Sequence, residues 1–273
     1  MRKFLFLLGL VAVISVRAQD SKSTATANVT VIETPLHFPR MERERQIRVY
    51  LPPNYSSTKK DYEVLYMHDG QNLFDDATSF AGEWGVDEVL NDLYKSHGLE
   101  LIVVGVDNGA EHRTQEMAGW DHEKYGKAEG NEYMNFIVRV VKPYIDKKYR
   151  TLPSWEHTGI MGGSMGGLIS HYAMFQYAGY FSKAGIFSPS YWYSEGAFEQ
   201  VKGFKLSSDV KLFFYMGGKE GPMMMDSYNR MLALFKEQGY ADQMTSKINP
   251  KGEHNERFWR AELKEALLWL YDK

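Results

Sequence analysis

Hydrophobic residues along the chain alternate between two patterns. Short apolar runs rich in β-branched and aromatic residues, such as Tyr62–Met67 and Leu101–Val106, are typical of strands buried on both faces of a sheet. Between such runs, apolar residues recur at helical spacing, as in Trp84–Tyr94 and Asn131–Tyr149. Further strands are predicted at residues 29–34, 46–51, 157–161, 184–187, 210–216 and 244–248, and further helices at 165–177, 223–238 and 255–271.

This alternation predicts an α/β protein whose mostly parallel central sheet carries helices on both faces. The strands at 29–34 and 46–51 follow each other without a helix between them, so we expect them to form an antiparallel N-terminal edge. The sequence has no internal repeat and no break in composition after Asn28. Residues 29–273 are therefore predicted to form a single domain.

The first residues have the pattern of a secretory signal peptide. Arg2 and Lys3 precede an almost wholly apolar run, Phe4–Val16, which is short for a transmembrane span. Val16 and Ala18 place small residues at positions −3 and −1 of a cleavage site. We therefore predict a signal peptide at residues 1–18, a polar disordered leader at 19–28, and export to the periplasm or the extracellular medium without a stable membrane anchor.

Composition excludes several kinds of chemistry. The 273 residues contain no cysteine, which rules out a cysteine nucleophile, thiolate zinc sites and iron–sulfur clusters. The formal net charge of −3 gives no basic field for nucleic acid. A zinc site built from His112, His122, Glu116 and Asp121 lacks the spacing of known metal motifs. We expect no cofactor, no metal and no nucleic-acid partner, and the sequence leaves the oligomeric state open.

The most informative motif is Gly162-Gly163-Ser164-Met165-Gly166-Gly167, which lies between a predicted strand and a predicted helix. It fits G-x-S-x-G, the nucleophile elbow of the α/β-hydrolase fold, in which a strained turn lifts the serine above the carboxyl end of the sheet. Glycines are needed because side chains beside so sharp a turn would clash with neighbouring elements. Ser164 is therefore the predicted nucleophile.

A serine hydroxyl needs a general base, and in this fold the order along the chain is serine, acid, histidine. Only His171 and His254 follow Ser164. His171 lies seven residues further along the same predicted helix, about 10 Å away by helical rise, and is expected to be a packing or surface residue. His254 occupies a polar loop between the last strand and the last helix. It is the predicted base.

The acid of the triad is expected after the strand at residues 210–216. Glu220 lies there in the loop Gly217–Gly221, and Asp226 is a second candidate that falls inside the following helix. Asp209 precedes the strand and therefore lies at the wrong end of the sheet. The acid fixes the histidine tautomer and stabilises the imidazolium that forms during reaction. We favour Glu220.

A developing oxyanion needs backbone N–H donors, commonly one from the residue after the nucleophile and one from the loop after an earlier strand. Met165 supplies the first. The second is expected from the loop His68–Asn72, which contains a glycine that permits close approach, and we place it at Gln71.

Three motifs together resemble the Putative esterase family of α/β-hydrolases. They are Tyr66–Phe74 (YMHDGQNLF), the elbow, and Gly252–Asn255 (GEHN) followed by Phe258-Trp259-Arg260. The family includes enterochelin and other siderophore esterases, S-formylglutathione hydrolases, mycolyltransferases, and the feruloyl and acetyl-xylan esterases of carbohydrate esterase family 1. The resemblance runs from about residue 30 to the C-terminus. It implies a serine carboxylesterase with Ser164, Glu220 and His254 as triad, and it leaves the substrate open.

Aromatic residues after predicted strands give the only indications of substrate. The loop Ser188–Tyr193 resembles the one that walls the acyl pocket in this family, and it contains Trp192. Trp84 and Trp120 also follow strands and could stack a sugar or an aromatic acid, while Arg113 could meet a carboxylate or phenolate. The expected partner is therefore a small-molecule or oligosaccharide ester.

Several activities share this constellation. Export favours acyl esters of plant polysaccharides, feruloyl or acetyl, over a siderophore trilactone, since an exported esterase meets polymers outside the cytoplasm. The near-neutral net charge also gives no basic pocket for a ferric siderophore. Acyl transfer uses the same triad with a different acceptor. A catalytically silent binding relative would normally lack a member of the triad, and the sequence has all three.

Overall fold

The computed structural model describes residues 22–271, so the predicted signal peptide at 1–18 lies outside the described residues. The strands are β1 Val29–Val31, β2 Leu36–Phe38, β3 Arg43–Arg45, β4 Ile47–Tyr50, β5 Glu63–His68, β6 Leu101–Val106, β7 Thr158–Gly163, β8 Lys183–Phe187, β9 Lys211–Gly217 and β10 Met244–Asn249. The helices are α1 Val86–His97, α2 Arg113–Glu116, α3 Gly130–Phe136, α4 Lys142–Lys148, α5 Met165–Gln176, α6 Gly196–Gly203, α7 Pro222–Glu237 and α8 Glu256–Tyr271. A π-helical stretch, Ile137–Val141, joins α3 to α4.

Eight strands form one sheet in the order β1-β4-β6-β5-β7-β8-β9-β10. The pairs β1–β4 and β4–β6 are antiparallel, and every other pair in this sheet is parallel. The predicted α/β-hydrolase fold, with its mostly parallel sheet and antiparallel N-terminal edge, is confirmed. Within residues 22–271, no helix is both long and apolar enough to cross a bilayer.

Successive residues of the central strands point to opposite faces of the sheet, and both faces are buried. In β5, Tyr66 packs into the larger core with α5, whereas Leu65 packs into the smaller core with α1 and α8. Burial of each large apolar side chain contributes about 1.5–3 kcal/mol to folding before entropy is counted. This two-sided burial explains why the strands read as unbroken apolar runs.

The sequence pattern missed strands β2 and β3 and the short helices α2 and α6. The hairpin β2–β3 contains Arg43 and Arg45, whose charges obscure a strand signal. Both arginines form ion pairs with the buried carboxylate of Glu116. This partner is distant in the sequence, so the local pattern of residues does not show that the two charges are balanced. The short helix α6 lies in a region for which no element was predicted.

The described part of the predicted disordered leader, residues 22–28, is held by specific contacts. Ser23 Oγ donates a hydrogen bond to Asp75 at 2.7 Å, and the backbone N–H of Thr26 donates to Asp87 at 2.8 Å. For residues 22–28 the prediction of disorder is therefore wrong. The polar, small-residue pattern of this segment does not show that carboxylates elsewhere in the chain accept hydrogen bonds from it.

The carboxyl ends of the parallel strands meet at one edge of the sheet. Strands β5, β7, β8, β9 and β10 end there at His68, Gly163, Phe187, Gly217 and Asn249. The loops that follow these strands carry nearly all the site residues that the sequence predicted. Parallel order thus brings residues from distant parts of the chain to one edge.

Candidate active site

Ser164 occupies the turn between β7 and α5 with φ 61° and ψ −120°, a conformation that costs a non-glycine residue about 1–3 kcal/mol. Its backbone N–H donates to the carbonyl of Phe187 at 2.9 Å, which fixes the turn against the next strand. A Cβ at Gly162 would lie 2.8 Å from the backbone of Gly166, so a side chain there would clash with α5 and prevent this turn. Gly162 is therefore needed for the close contact between β7 and α5.

The two backbone N–H groups that were predicted to bind an oxyanion belong to Met165 and Gln71. Met165 begins α5, where the first N–H groups of a helix have no intrahelical acceptor. Gln71 lies in a single 3₁₀ turn, Gly70–Asn72, directly after β5. Neither N–H has an acceptor among the residues that the structure describes. The side chain of Gln71 accepts a hydrogen bond from the N–H of Asn108 at 3.1 Å, which anchors the loop.

His254 and Glu220 form a short hydrogen bond, 2.6 Å between Nδ1 and Oε2. The Glu220 side chain is 1% exposed and the His254 side chain 37% exposed, so a buried acid holds a base that solvent reaches. The other carboxylate oxygen of Glu220 accepts from the N–H of Gly217 at 2.8 Å. With Nδ1 engaged by Glu220, Nε2 of His254 is the ring nitrogen available to another group.

The alternative acids and base lie elsewhere. Asp226 is exposed on α7, in the fifth position of the helix, and Asp209 is exposed ahead of β9. His171 is fully buried in α5, where its Nδ1 is 3.1 Å from the hydroxyl of Tyr191. The structure thus joins His254 to Glu220 and to neither of the other acids.

Two residues of the site were not identified from sequence. Ser188, at the end of β8, donates its hydroxyl to Oε1 of Glu220 at 2.6 Å. Trp259 on α8 donates its indole N–H to the same hydroxyl at 2.8 Å, and its ring packs edge-on against His254 with centroids 5.2 Å apart. Ser188 begins the predicted loop Ser188–Tyr193, and Trp259 belongs to one of the family motifs. Neither pattern specifies the contacts that the two residues make.

Ser164 and His254 line one cleft with a cavity of about 590 Å³. The Oγ of Ser164 lies 3.4 Å from Oγ of Ser190, and no direct hydrogen bond joins Ser164 to His254 among the described residues. The cleft is also lined by residues from the loops after β5 and β6, from α2 and from α8: Asp69, Gln71, Asn72, Phe80, Ala81, Trp84, Asn108, Ala110, Arg113, Glu256 and Trp259.

Of the four residues predicted to bind substrate, the structure places two in the cleft lining. Trp84 lines the cleft, is buried and packs on Trp259. Trp120 instead packs edge-on against Tyr172, and Trp192 packs against Tyr125. Neither Trp120 nor Trp192 lines this cavity, because the loops that carry them fold onto aromatic neighbours outside it. For these two, the structure does not support the expectation.

Arg113 lines the cleft, but its guanidinium is already engaged. Nε and one terminal nitrogen bind the two oxygens of Asp69 at 2.6 and 2.8 Å, a bidentate ion pair. Burial alone would raise the pKa of Asp69, but Arg113 and the amide of Asn108 hold it below its usual value. The charge of Arg113 is thus largely balanced within the protein.

A second carboxyl group, Glu256, lies in the cleft at the start of α8. It accepts a hydrogen bond from the side-chain amide of Asn72 at 3.2 Å. Burial raises the pKa of Glu256 above its ordinary value, and the negative charge of Asp69 acts in the same direction. Arg113 is the only cation in the cleft lining within residues 22–271, and acidic groups outnumber it.

Two buried histidines predict a loss of stability in acid. Burial lowers the pKa of His68 to about 4 and that of His171 to about 3, against about 6.5 in an unfolded chain. Between the pKa of each histidine in the folded protein and its pKa in the unfolded chain, the unfolded chain binds more protons than the folded protein. The free energy of unfolding therefore decreases as the pH falls below about 6.5. Going from pH 7 to pH 4.5 should cost about 2–3 kcal/mol for each histidine.

Denaturant unfolding at the two pH values tests this expectation. His171→Gln keeps a polar partner for Tyr191 but cannot titrate, so its stability should fall by about 2–3 kcal/mol less than that of the wild type. His97→Gln, at an exposed position, is the matched control and should keep the wild-type loss. An identical loss in wild type and His171→Gln would contradict the assignment.

Within residues 22–271 no group of three or more metal-ligating side chains is assembled. Glu116, one of the zinc candidates, is buried and paired with Arg43 and Arg45, and His122 packs on Tyr125 and Tyr193.

Comparison with known proteins identifies the family and confirms the fold. The match to an esterase family makes this protein a carboxylic ester hydrolase. The profile of the family described as "Putative esterase" matches residues 39–270, and this chain belongs to that family. The uncharacterized protein YbbA of Bacillus subtilis strain 168 is 28% identical over 245 residues, which are 84% of this chain and 93% of that protein.

Solved structures share the fold. A ferulic acid esterase superposes with a TM-score of 0.64 and 20% identity, covering 88% of this chain and 97% of that one. An IroE-like serine hydrolase from Shewanella oneidensis gives a TM-score of 0.74 with 17% identity, covering 87% of this chain and 79% of that one. Enterochelin esterase from Shigella flexneri gives 0.73 with 17% identity, covering 93% of this chain and 60% of that one.

Proposed function

We propose that this protein is an exported serine carboxylesterase that cleaves feruloyl or acetyl esters of plant polysaccharides through an acyl-enzyme. The observation that carries the proposal is the 2.6 Å contact between His254 and buried Glu220 in the same cleft as the strained Ser164. This arrangement supplies a nucleophile, a base and an acid to orient the base.

In the proposed reaction, Nε2 of His254 takes the proton of the Ser164 hydroxyl as Oγ attacks the ester carbonyl. The N–H groups of Met165 and Gln71 stabilise the oxyanion that forms. His254 then returns the proton to the leaving alcohol, and water repeats the sequence on the acyl-enzyme. The missing direct contact between Ser164 and His254 accords with such hydrogen bonds tightening only when substrate binds.

The charges of the cleft support a neutral substrate. Asp69 neutralises Arg113, and Glu256 adds a further acidic group. A ferric siderophore with several negative charges would meet no unbalanced cation among the described lining residues. An uncharged acetyl or feruloyl ester encounters no such electrostatic cost.

An aromatic ring at the mouth of the cleft supports a substrate that carries a ring. Phe80 lines the cavity and is 93% exposed. Burying a phenylalanine side chain is favourable, so covering this ring with a substrate would stabilise the complex. Its backbone N–H donates to the side chain of Asn72 at 3.1 Å, which holds this loop over the cleft. The face of a ferulate ring or of a sugar fits such a position.

A panel of methyl ferulate, acetylated xylan, xylose tetraacetate and ferric enterobactin tests the substrate class. We expect the feruloyl or acetyl esters to give the highest kcat/KM. A preference for the trilactone by about tenfold or more, or about 1.4 kcal/mol of transition-state binding, would overturn the choice. Added alcohol acceptors distinguish hydrolysis from acyl transfer, and a fluorophosphonate probe distinguishes an enzyme from a silent relative.

Export rests on the pattern of residues 1–18 alone. Mass spectrometry of the protein from its native host should give an N-terminus near Gln19. Intact residues 1–18 on the exported protein would contradict cleavage.

A further inference from the structure

Ser188 has a backbone conformation that its side chain does not favour. Its φ is 42°, in the left-handed region, and its side chain is fully buried. Glycine or asparagine adopts this region far more readily than serine. Its backbone N–H donates to the carbonyl of Tyr215 at 2.8 Å, so the neighbouring strand holds the residue in place. Strain of this kind persists where surrounding structure enforces it, often beside a functional group.

The hydroxyl of Ser188 joins two parts of the site. It donates to Oε1 of Glu220 at 2.6 Å and accepts from the indole N–H of Trp259 at 2.8 Å. Since Trp259 donates to it, the single proton of the hydroxyl is directed at Glu220. Trp259 also packs against the serine turn, because a Cβ at Gly163 would lie only 2.8 Å from its ring.

We infer that Ser188 is a positioning residue that fixes the Glu220 carboxylate toward His254, and that its backbone strain is retained for this hydroxyl. The inference rests on the proposed function. Oε1 of Glu220 has two donors, Ser188 and the N–H of Gly217, while Oε2 meets His254. The three contacts together set the rotation of the carboxylate. Without the Ser188 hydroxyl, Oε1 keeps only the N–H of Gly217, so the carboxylate is held less firmly in the orientation that meets His254.

Ser188→Gly separates this role from a structural one. Glycine removes the hydroxyl and also relieves the strain, whereas Ser188→Ala removes the hydroxyl and keeps the strain. We expect both variants to lose kcat about tenfold on p-nitrophenyl acetate, with KM within about twofold of the wild type, since a charge-assisted hydrogen bond is lost. The glycine variant should have the higher Tm of the two.

Ser182→Ala is the matched control. Ser182 is a buried serine whose hydroxyl donates to the carbonyl of Glu156 at 3.0 Å, at the opposite end of β8 from the cleft. Its loss should lower Tm and leave kcat per active site unchanged. Active sites are counted by stoichiometric reaction with a fluorophosphonate, which removes any contribution from unfolded protein.

The outcomes are distinct. Full kcat in Ser188→Gly would overturn the positioning role, and so would a kcat loss that disappears after normalisation to active sites. If wild-type protein fails to react with the fluorophosphonate and shows no esterase activity, the proposed function itself fails, whatever Ser188 does.

Discussion

Ser164→Ala should lower the rate of p-nitrophenyl acetate hydrolysis by about 10³-fold or more while leaving the fold intact. The variant loses the only atom proposed to attack the ester, whereas the free N–H groups of Met165 and Gln71 remain. Those donors leave some rate above that of water, as in other hydrolases that lack their nucleophile. Alanine meets the same backbone strain as serine at φ 61°, so stability should stay close to that of the wild type.

Ser190→Ala is the sharpest control, because its hydroxyl lies 3.4 Å from that of Ser164. We expect its rate to stay within about tenfold of the wild type. Circular dichroism and thermal unfolding check the fold of both variants, and peptide mapping after fluorophosphonate treatment should find the label on Ser164. A label on Ser190, or wild-type turnover in Ser164→Ala, would contradict the assignment of Ser164 as the nucleophile.

Glu220→Gln should reduce kcat by about 10³- to 10⁴-fold, close to the effect of an acid-to-amide change in other triads. The substitution removes the charge that stabilises the imidazolium form of His254. It also lets an amide N–H face Nδ1, which favours the tautomer whose Nε2 carries the proton and cannot act as a base. Because the Glu220 side chain is buried, solvent cannot replace the lost charge.

Asp226→Asn is the matched change on the exposed face of α7, and we expect its kcat to stay near that of the wild type. Both variants are measured on p-nitrophenyl acetate across the pH range in which the wild type is active. A larger loss in Asp226→Asn than in Glu220→Gln would move the acid to Asp226.

The strands and the serine turn follow from local sequence. The central strands are buried on both faces, so their apolar runs are continuous and easily recognised, and β5 and β6 lie within a residue of the predicted ends. Hairpin β2–β3 was missed because its arginines are compensated by Glu116, which lies more than seventy residues away in the chain. Local pattern carries no information on such a partner.

The placement of substrate residues shows the same limit. Arg113 was expected to meet an anionic substrate, and its guanidinium is bound to Asp69 instead. Trp120 and Trp192 were expected at the cleft, and both pack on tyrosines outside its lining. Each side chain follows a strand, as predicted, but the direction it takes depends on which loop lies beside it.

The sequence by itself determined the fold class, the strained turn at Ser164, and the positions of His254 and Glu220 in loops at one edge of the sheet. Buried strands and sharp turns have local sequence patterns that can be recognised. The carboxyl ends of parallel strands also meet at one edge of the sheet, so the loops that follow them lie there together. Only the tertiary structure decided that Glu220 rather than Asp226 contacts His254, and that Ser188 and Trp259 hold that contact. These contacts join residues 32 to 71 positions apart, and their geometry depends on the packing of β8, β9 and α8 rather than on any local segment.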